Sequence, residues 1–373
     1  MQRLQESDFN METIGFIGLG LIGGSLAKAI KKNHLAQTIV AYDLDTASLQ
    51  TAKVEGIVDI CAQDIDLLFK HCEIIFLCCP VQVNMDAYRS LTEVVEPTCI
   101  ITDVASTKQE IIDFVSKCGA PLPFIGGHPM TGSENFGYAA SRAHLFENAY
   151  YVLTPSFGTS SHQIELLCDF IKGIKALPIV IPPEDHDHVT ATISHVPHVI
   201  AASLVHLVKA LDSTDGHMHT LAAGGFKDIT RIASSSPVMW QQICLTNQQN
   251  IVEILQMFQK DLKETIHHIE NGDGQALYDF FEAAREYRDT FQEKKPGALM
   301  QTYAITVDVV DEPGIIAQIA TLLSNYNISI KNIGILNNRE HTNGVLEIVF
   351  YDEESTFQSM KVLTDMQYIV YKR

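Results

Sequence analysis

The tightest constraint on this chain is a glycine triplet, Gly18-Leu19-Gly20-Leu21-Ile22-Gly23, set between an apolar run and a helical pattern. The run TIGFIG (13–18) reads as a strand, and Ile22, Leu26, Ile30 and Asn33 then recur at helical spacing. A strand that turns straight into a helix needs a tight turn, which Gly18 permits. Gly20 lets the backbone approach a pyrophosphate, and Gly23 lets helix and strand pack closely. Amides at the start of that helix then face the phosphates. A second apolar run, TIVAYD (38–43), ends in Asp43, twenty residues past Gly23. A carboxylate there accepts from ribose hydroxyls and repels a 2′-phosphate, which favours NAD over NADP. The expected cofactor residues are Gly18, Gly20, Leu21, Ile22, Gly23 and Asp43.

Further apolar runs follow at 73–80, 99–105, 124–129, 150–155 and 177–182, alternating with helical patterns. Strands apolar on both faces, alternating with helices, indicate an α/β doubly wound, Rossmann-type parallel sheet over residues 1–183. After Pro182-Pro183 the period-2 pattern disappears. Segments 199–211 and 239–269 read as long helices, the second with a stripe of Ile243, Ile251, Ile254, Leu255, Phe258 and Leu262. Residues 184–297 are therefore expected to form an all-α domain, whose apolar helices need a partner surface and imply a homodimer or higher oligomer. EKKPGALM (293–300) reads as a linker. Residues 298–373 then show the order βαββαβ, with a hairpin across an Asn-rich turn, as a small separate domain.

The 45 acidic residues outnumber the 26 Lys and Arg, for a formal net charge of −19. Such a surface excludes a nucleic-acid partner, which needs clustered cations, and obliges any pocket for an anion to carry its own positive charge. No uninterrupted run of about 18 apolar residues is present, so no membrane span is expected. MQRLQESDFNME lacks the apolar segment of a secretory signal. Eight cysteines without a C-x-x-C pair fit reduced core thiols and a cytoplasmic setting.

Three segments carry the chemistry. GGHPMTGSE (126–134) places His128 at the carboxyl end of a strand, where open α/β sheets bind ligands. A histidine near its ordinary pKa of about 6.5 suits a group that loses and regains a proton. HDHVTATISHVPH (186–198) and GGFKDITRIASSSPVMW (224–240) lie in the helical region. His186 with His188, and His195 with His198, have spacings a metal could use, but no HExxH or Cys/His set accompanies them, so no metal is expected. Trp240, read alone, fits core packing at least as well as ligand contact, and Arg231 alone fits a surface ion pair.

Together, HPMTG, SHVPH and GGFKDITRIA resemble the motifs of the prephenate/arogenate dehydrogenase family, over about residues 13–290. The resemblance implies NAD-dependent oxidative decarboxylation of prephenate in tyrosine biosynthesis, with arogenate as the alternative substrate. It gives His128 the role of catalytic base on the substrate hydroxyl, and Ser106 that of orienting this hydroxyl and the nicotinamide. It makes Arg231 the group that grips a substrate carboxylate. His195, His198, Trp240 and Gly225 become pocket residues, and Glu134 with Asp228 a charged network near the entrance. The C-terminal unit, with its DEPG turn, resembles an ACT domain. That likeness implies an amino-acid effector, plausibly tyrosine as feedback inhibitor, held by Asp311, Pro313, Gly314 and Asn332. A non-catalytic nucleotide and amino-acid sensor on the same fold is the rival from another class; it would have no reason to keep His128, Ser106 and Arg231 together.

Overall fold

The computed structural model describes residues 11–118, 122–132, 135–291, 303–310, 312–336 and 344–372. The linker at 293–300, the Asn-rich turn, and most of the first dozen residues lie outside them. The chain divides into two units, residues 1–274 and 275–373.

The first unit begins with β1 (Met11–Ile17), α1 (Leu21–Lys32), β2 (Ala36–Tyr42), α2 (Thr46–Val54), β3 (Ile60–Cys61), β4 (Ile74–Leu77) and α3 (Val81–Leu91). It continues with β5 (Ile100–Asp103), α4 (Gln109–Ser116), β6 (Phe124–Pro129), β7 (Tyr150–Pro155), α5 (Ser161–Gly173) and β8 (Leu177–Val180). The strands form one sheet in the order β3-β2-β1-β4-β5-β6-β7-β8. The two halves of its order run outward from β1 and β4, the doubly wound plan.

The expected Rossmann-type sheet is present with one departure from parallel order: β7 pairs with β6 antiparallel, His128 opposite Val152, and β8 extends the sheet parallel to β7. A parallel return needs a crossover helix. The β6–β7 connection holds only a short turn at Tyr138–Ala140 among its described residues, so the chain comes back alongside itself.

Both faces of the sheet are covered, which explains why the strands are apolar runs rather than alternating ones. Phe16, Leu26, Ile39, Phe76 and Phe170 pack on one face, and Ile17, Phe69, Ile75, Tyr88 and Phe124 on the other. Phe16 stacks on Phe76 at 5.3 Å, and each such fully buried side chain contributes roughly 1.5–3 kcal/mol.

The helical half runs α6 (Pro183–Thr190), a π-turn (Ala191–His195), α7 (Val196–Leu211), α8 (His217–Leu221), α9 (Gly224–Thr230), a 3₁₀ turn (Arg231–Ser234), α10 (Pro237–Thr246) and α11 (Gln248–Glu270). The predicted helix over 239–269 is two helices. Asn247, at φ −119° and ψ 34°, breaks it, and its buried amide is spent on other elements. Pro197 lacks the N–H that would bond the carbonyl of Ile193, which accounts for the wider turn just before α7. Residues 183–211 form 29 residues of continuous helix that, by length and composition, could cross a membrane. The sequence criterion missed it because His, Ser and Thr interrupt the apolar run. His186, Asp187 and Thr190 are nevertheless buried and hydrogen-bonded at its start. Ala191, Val196 and Ile251 form a small core here, while Leu207, Leu211, Met257, Leu262 and Ile266 stay exposed.

The second unit holds α12 (Gly274–Thr290), then β9 (Tyr303–Val309), α13 (Ile315–Asn325), β10 (Ile330–Leu336), β11 (Gly344–Phe350), α14 (Glu353–Asp365) and β12 (Ile369–Lys372). The expected βαββαβ order is present, as an antiparallel sheet in the order β10-β11-β9-β12. Ile305, Val307, Ile319, Leu323, Leu346, Ile348 and Leu363 make its core.

Candidate active site

Strands β1, β4, β5 and β6 are parallel, so their carboxyl ends share one edge of the sheet. Gly18 leaves β1 at φ +96°, a conformation that favours glycine. A Cβ on Gly23 would lie 2.3 Å from the carbonyl oxygen of Gly18, so helix and turn touch there. A Cβ on Gly20 meets nothing within 4 Å: the turn is open on the side where a phosphate would come. Gly20 caps α1 without a side-chain bond, which leaves the first amides of the helix unshielded. Asp43 accepts from the Leu19 N–H at 2.5 Å and from the Asp45 N–H at 2.7 Å, anchoring its carboxylate beside the turn. These residues fit an NAD site, with Leu21 and Ile22 forming the first turn of α1. NAD supplies the hydride acceptor when bound.

His128 lies one residue before the end of β6, half-buried. Its Nδ1 is 2.8 Å from Nε2 of His186, and Nδ1 of His186 is 2.8 Å from Oδ1 of Asp187. Asp187 also accepts from the backbone N–H groups of Lys108 (2.8 Å) and Gln109 (2.9 Å), fastening α6 to the start of α4. Lys108 is fully buried; its ammonium donates to Asp103 and to the Gly127 carbonyl, directly behind His128. Burial is the main force holding the His128 pKa well below the ordinary histidine value, with His186, Lys108 and His195 adding to it. The resting imidazole is neutral.

On the helical side, His195 is buried and its pKa is pushed down to about 4 by burial. Its Nδ1 accepts from the Asn247 amide at 3.2 Å, and the same amide donates to the Asp187 carbonyl at 2.7 Å. His198 stacks on Trp240 at 3.8 Å, and His195 meets the same indole edge-on at 5.9 Å. Nδ1 of His198 donates to the Ser194 carbonyl. Burial lowers its pKa, and the Arg231 guanidinium lowers it further. Trp240 holds its indole N–H buried with no partner among the described residues. His195, Trp240 and His198 thus pack together, and the Arg231 guanidinium acts electrostatically on His198.

Arg231 itself is exposed and forms no ion pair among the described residues, so the surface-salt-bridge alternative finds no support there. Ser106 is half-buried in the loop after β5, on the carboxyl edge with His128. Asp228 and Gly225 are exposed on α9; Glu134, the partner expected for Asp228, lies outside the described residues. Sequence reasoning missed His186, Asp187, Lys108 and Asn247. The signal for the first two was present, since HDH precedes SHVPH on one helix, but it read as possible metal spacing.

Residues 26–180 match the family model for the nucleotide-binding domain of prephenate dehydrogenase, and residues 182–283 match that for its dimerization domain. The prephenate dehydrogenase of Bacillus subtilis (strain 168) is 39% identical over 345 residues, covering 92% of this chain and 93% of the relative. A crystal structure of the A. aeolicus prephenate dehydrogenase, in complex with hydroxyphenyl propionate and NAD+, is similar at 28% identity and a TM-score of 0.70, covering 75% of this chain and 98% of that one. The Synechocystis arogenate dehydrogenase structure is similar at 31% identity and a TM-score of 0.68, covering 75% and 99%. With fold, motifs and whole-length relatives in agreement, the chain belongs to the prephenate dehydrogenase family.

Proposed function

We propose that His128 is the base of an NAD-dependent oxidative decarboxylation of prephenate, with Arg231 gripping a carboxylate of the substrate. The family to which the chain belongs makes it an NAD-dependent oxidoreductase of tyrosine biosynthesis. Prephenate carries a ring hydroxyl at C4, across the ring from a carboxylate. His128 takes the hydroxyl proton as the C4 hydrogen leaves as hydride to the nicotinamide. The C4 ketone that forms is conjugated to the C–CO₂⁻ bond, whose electrons then enter the ring as CO₂ departs and the phenol forms. Aromatisation drives that last event, so the chain supplies a neutral base, a cation and orientation. The observation that carries the assignment is the half-buried imidazole, set against His186, on the same sheet edge as the open glycine turn. Ser106 would orient the hydroxyl, and the indole N–H of Trp240, without a partner among the described residues, would be a donor for the ligand. Asp228, Gly225, His195 and His198 complete the pocket in this reading, with Glu134 expected near its entrance.

Initial rates of NADH formation with prephenate and with arogenate, each with NAD and NADP, test this. Prephenate with NAD should be the best pair; no turnover with either substrate would sink the reading. The exposed apolar faces of α7 and α11 belong to the segment matching the dimerization domain, so they are assigned to a second copy rather than a lipid phase. A cytoplasmic location follows from that assignment as a proposal.

For the second unit we propose an ACT-type effector site that senses tyrosine. A cleft of about 590 Å³ is lined by Glu312, Pro313, Gly314, Ile316, Ala317 and Ile335. Gly314 stands at φ +100° at the start of α13, whose amides can receive an amino-acid carboxylate. Asp311 lies outside the described residues. Asn332 is exposed on β10, its side chain accepting from the Ile333 N–H, and does not line this cleft; its expected part is a contact from a second copy. Ala317→Trp should fill the cleft and abolish tyrosine inhibition while uninhibited turnover stays intact. Inhibition that survives it would place the effector elsewhere.

A further inference from the structure

We propose that Asp187 and His186 form a two-residue relay that keeps the proton of His128 on Nδ1 and so leaves Nε2 bare as the base. The inference rests on His128 being the base and adds two positioning residues to it.

Hydrogen-bond logic carries the assignment. The Asp187 carboxylate takes two backbone N–H groups and faces Nδ1 of His186. An ionised carboxylate only accepts, so Nδ1 of His186 carries hydrogen. A neutral His186 then has its lone pair on Nε2. That nitrogen is 2.8 Å from Nδ1 of His128, which must donate. With its hydrogen on Nδ1, neutral His128 has its lone pair on Nε2, the nitrogen turned away from the relay. The opposite tautomer of either ring would set two lone pairs or two N–H groups face to face.

Beyond burial, the groups that weigh most on the His128 imidazole are His186, Lys108 and His195. Asp187 reaches it only through the second ring. When Nε2 takes the hydroxyl proton, as hydride leaves C4 for the nicotinamide, His128 becomes a cation. Its bond to His186 becomes charge-assisted and correspondingly stronger, and the Asp187 carboxylate stabilises the pair from beyond. A carboxylate that orients an imidazole in this way is the logic of the Ser-His-Asp triad; here two imidazoles stand in series.

Asp187 also ties α6 to α4, so a purely structural role is the competing explanation, and the test must separate the two. Asp187→Asn removes the negative charge that stabilises the protonated pair, and whichever way its amide turns, the NH₂ meets a backbone N–H that Asp187 now accepts. We expect kcat to fall about 10²–10⁴-fold, with the prephenate KM within about threefold of the parent and an unchanged NAD affinity. His186→Gln, whose amide oxygen can accept from His128 while its NH₂ donates to Asp187, should keep turnover within about tenfold; His186→Leu should lose it as Asp187→Asn does. A folded Asp187→Asn with parental kcat, or equal losses in the Gln and Leu variants, overturns the relay. Imidazole ¹⁵N shifts of the unmutated full chain report the protonated nitrogen without any variant having to fold. Hydrogen on Nδ1 of His128 is expected, and hydrogen on Nε2 overturns the proposal. His128→Asn run alongside keeps the two readings apart: if it is inactive while Asp187→Asn is normal, the relay alone fails, and if it is active, the base assignment itself fails.

Discussion

Strand β6 and the turn that follows α9 carry the two groups on which the proposed chemistry depends, and they hold them in different ways. His128 is part of a strand paired with β7 along its length, with a buried lysine bonded to the carbonyl just before it and a second imidazole against its ring. Arg231 begins a single 3₁₀ turn after a seven-residue helix, is exposed, and has no ion pair among the described residues. Preorganisation matters most where a proton moves in the transition state, because misplacement there is felt directly in the barrier. A guanidinium that meets a carboxylate can instead be ordered by the ligand it binds, at some entropic cost. Under the proposed function, the contrast gives catalysis to the sheet and capture to the helices.

The sharpest way to break that contrast is His128→Asn. Removal of a general base should lower kcat about 10²–10⁴-fold while the prephenate KM stays near the parental value, since the amide still fits the site. Steady-state rates decide it. A variant whose KM rises while kcat holds would make His128 a binding group and erase the difference between the two regions.

Arg231→Ala is the complementary case, with a smaller expected effect. Loss of a charged hydrogen-bonding partner costs about 1.5–3 kcal/mol, which corresponds to a rise of roughly 10–150-fold in KM. Arg231→Lys should recover only part of it, because an ammonium cannot grip a carboxylate with two parallel bonds. If kcat fell as far as KM rose, Arg231 would be acting in the transition state and the division of labour would be wrong.

What the sequence disclosed, and what it hid, follows the same line. The glycine turn, Asp43 and the apolar runs were legible because backbone geometry and double-sided burial leave strong local patterns. The antiparallel β7 was not, because a run apolar on both faces has the same composition in either direction. The break at Asn247 hid inside a helical stripe, since Asn also occurs within helices and its buried amide is explained only by Asp187 and His195, sixty and fifty-two residues away. Among the site residues, His128, Arg231 and the SHVPH pair stood in motifs. Asp187 stood in HDH beside its partner His186, but its hold on α4 runs to residues 79 and 78 positions away, and no local spacing announces a buried lysine such as Lys108.

The smallest effect tests whether the helical side of the site shares the dry character of the sheet side. Burial lowers the His195 pKa to about 4, whereas an unfolded histidine titrates near 6.5. Between those values the unfolded chain binds a proton that the folded chain refuses. Stability therefore falls as pH falls through this window, by up to about 1.4 kcal/mol per unit from this one group, and is unaffected by it above about pH 6.5. His195→Gln removes the titration while leaving a side chain that can still accept from Asn247. Its Tm should drop less steeply than the parent's between pH 6.5 and 4.5, by about 2–4 °C per unit; the remaining slope belongs to groups such as His128, which burial also holds neutral. Parallel Tm curves for the two proteins would mean that His195 is solvated and charges freely. The helical side of the site would then be wet, unlike the sheet side.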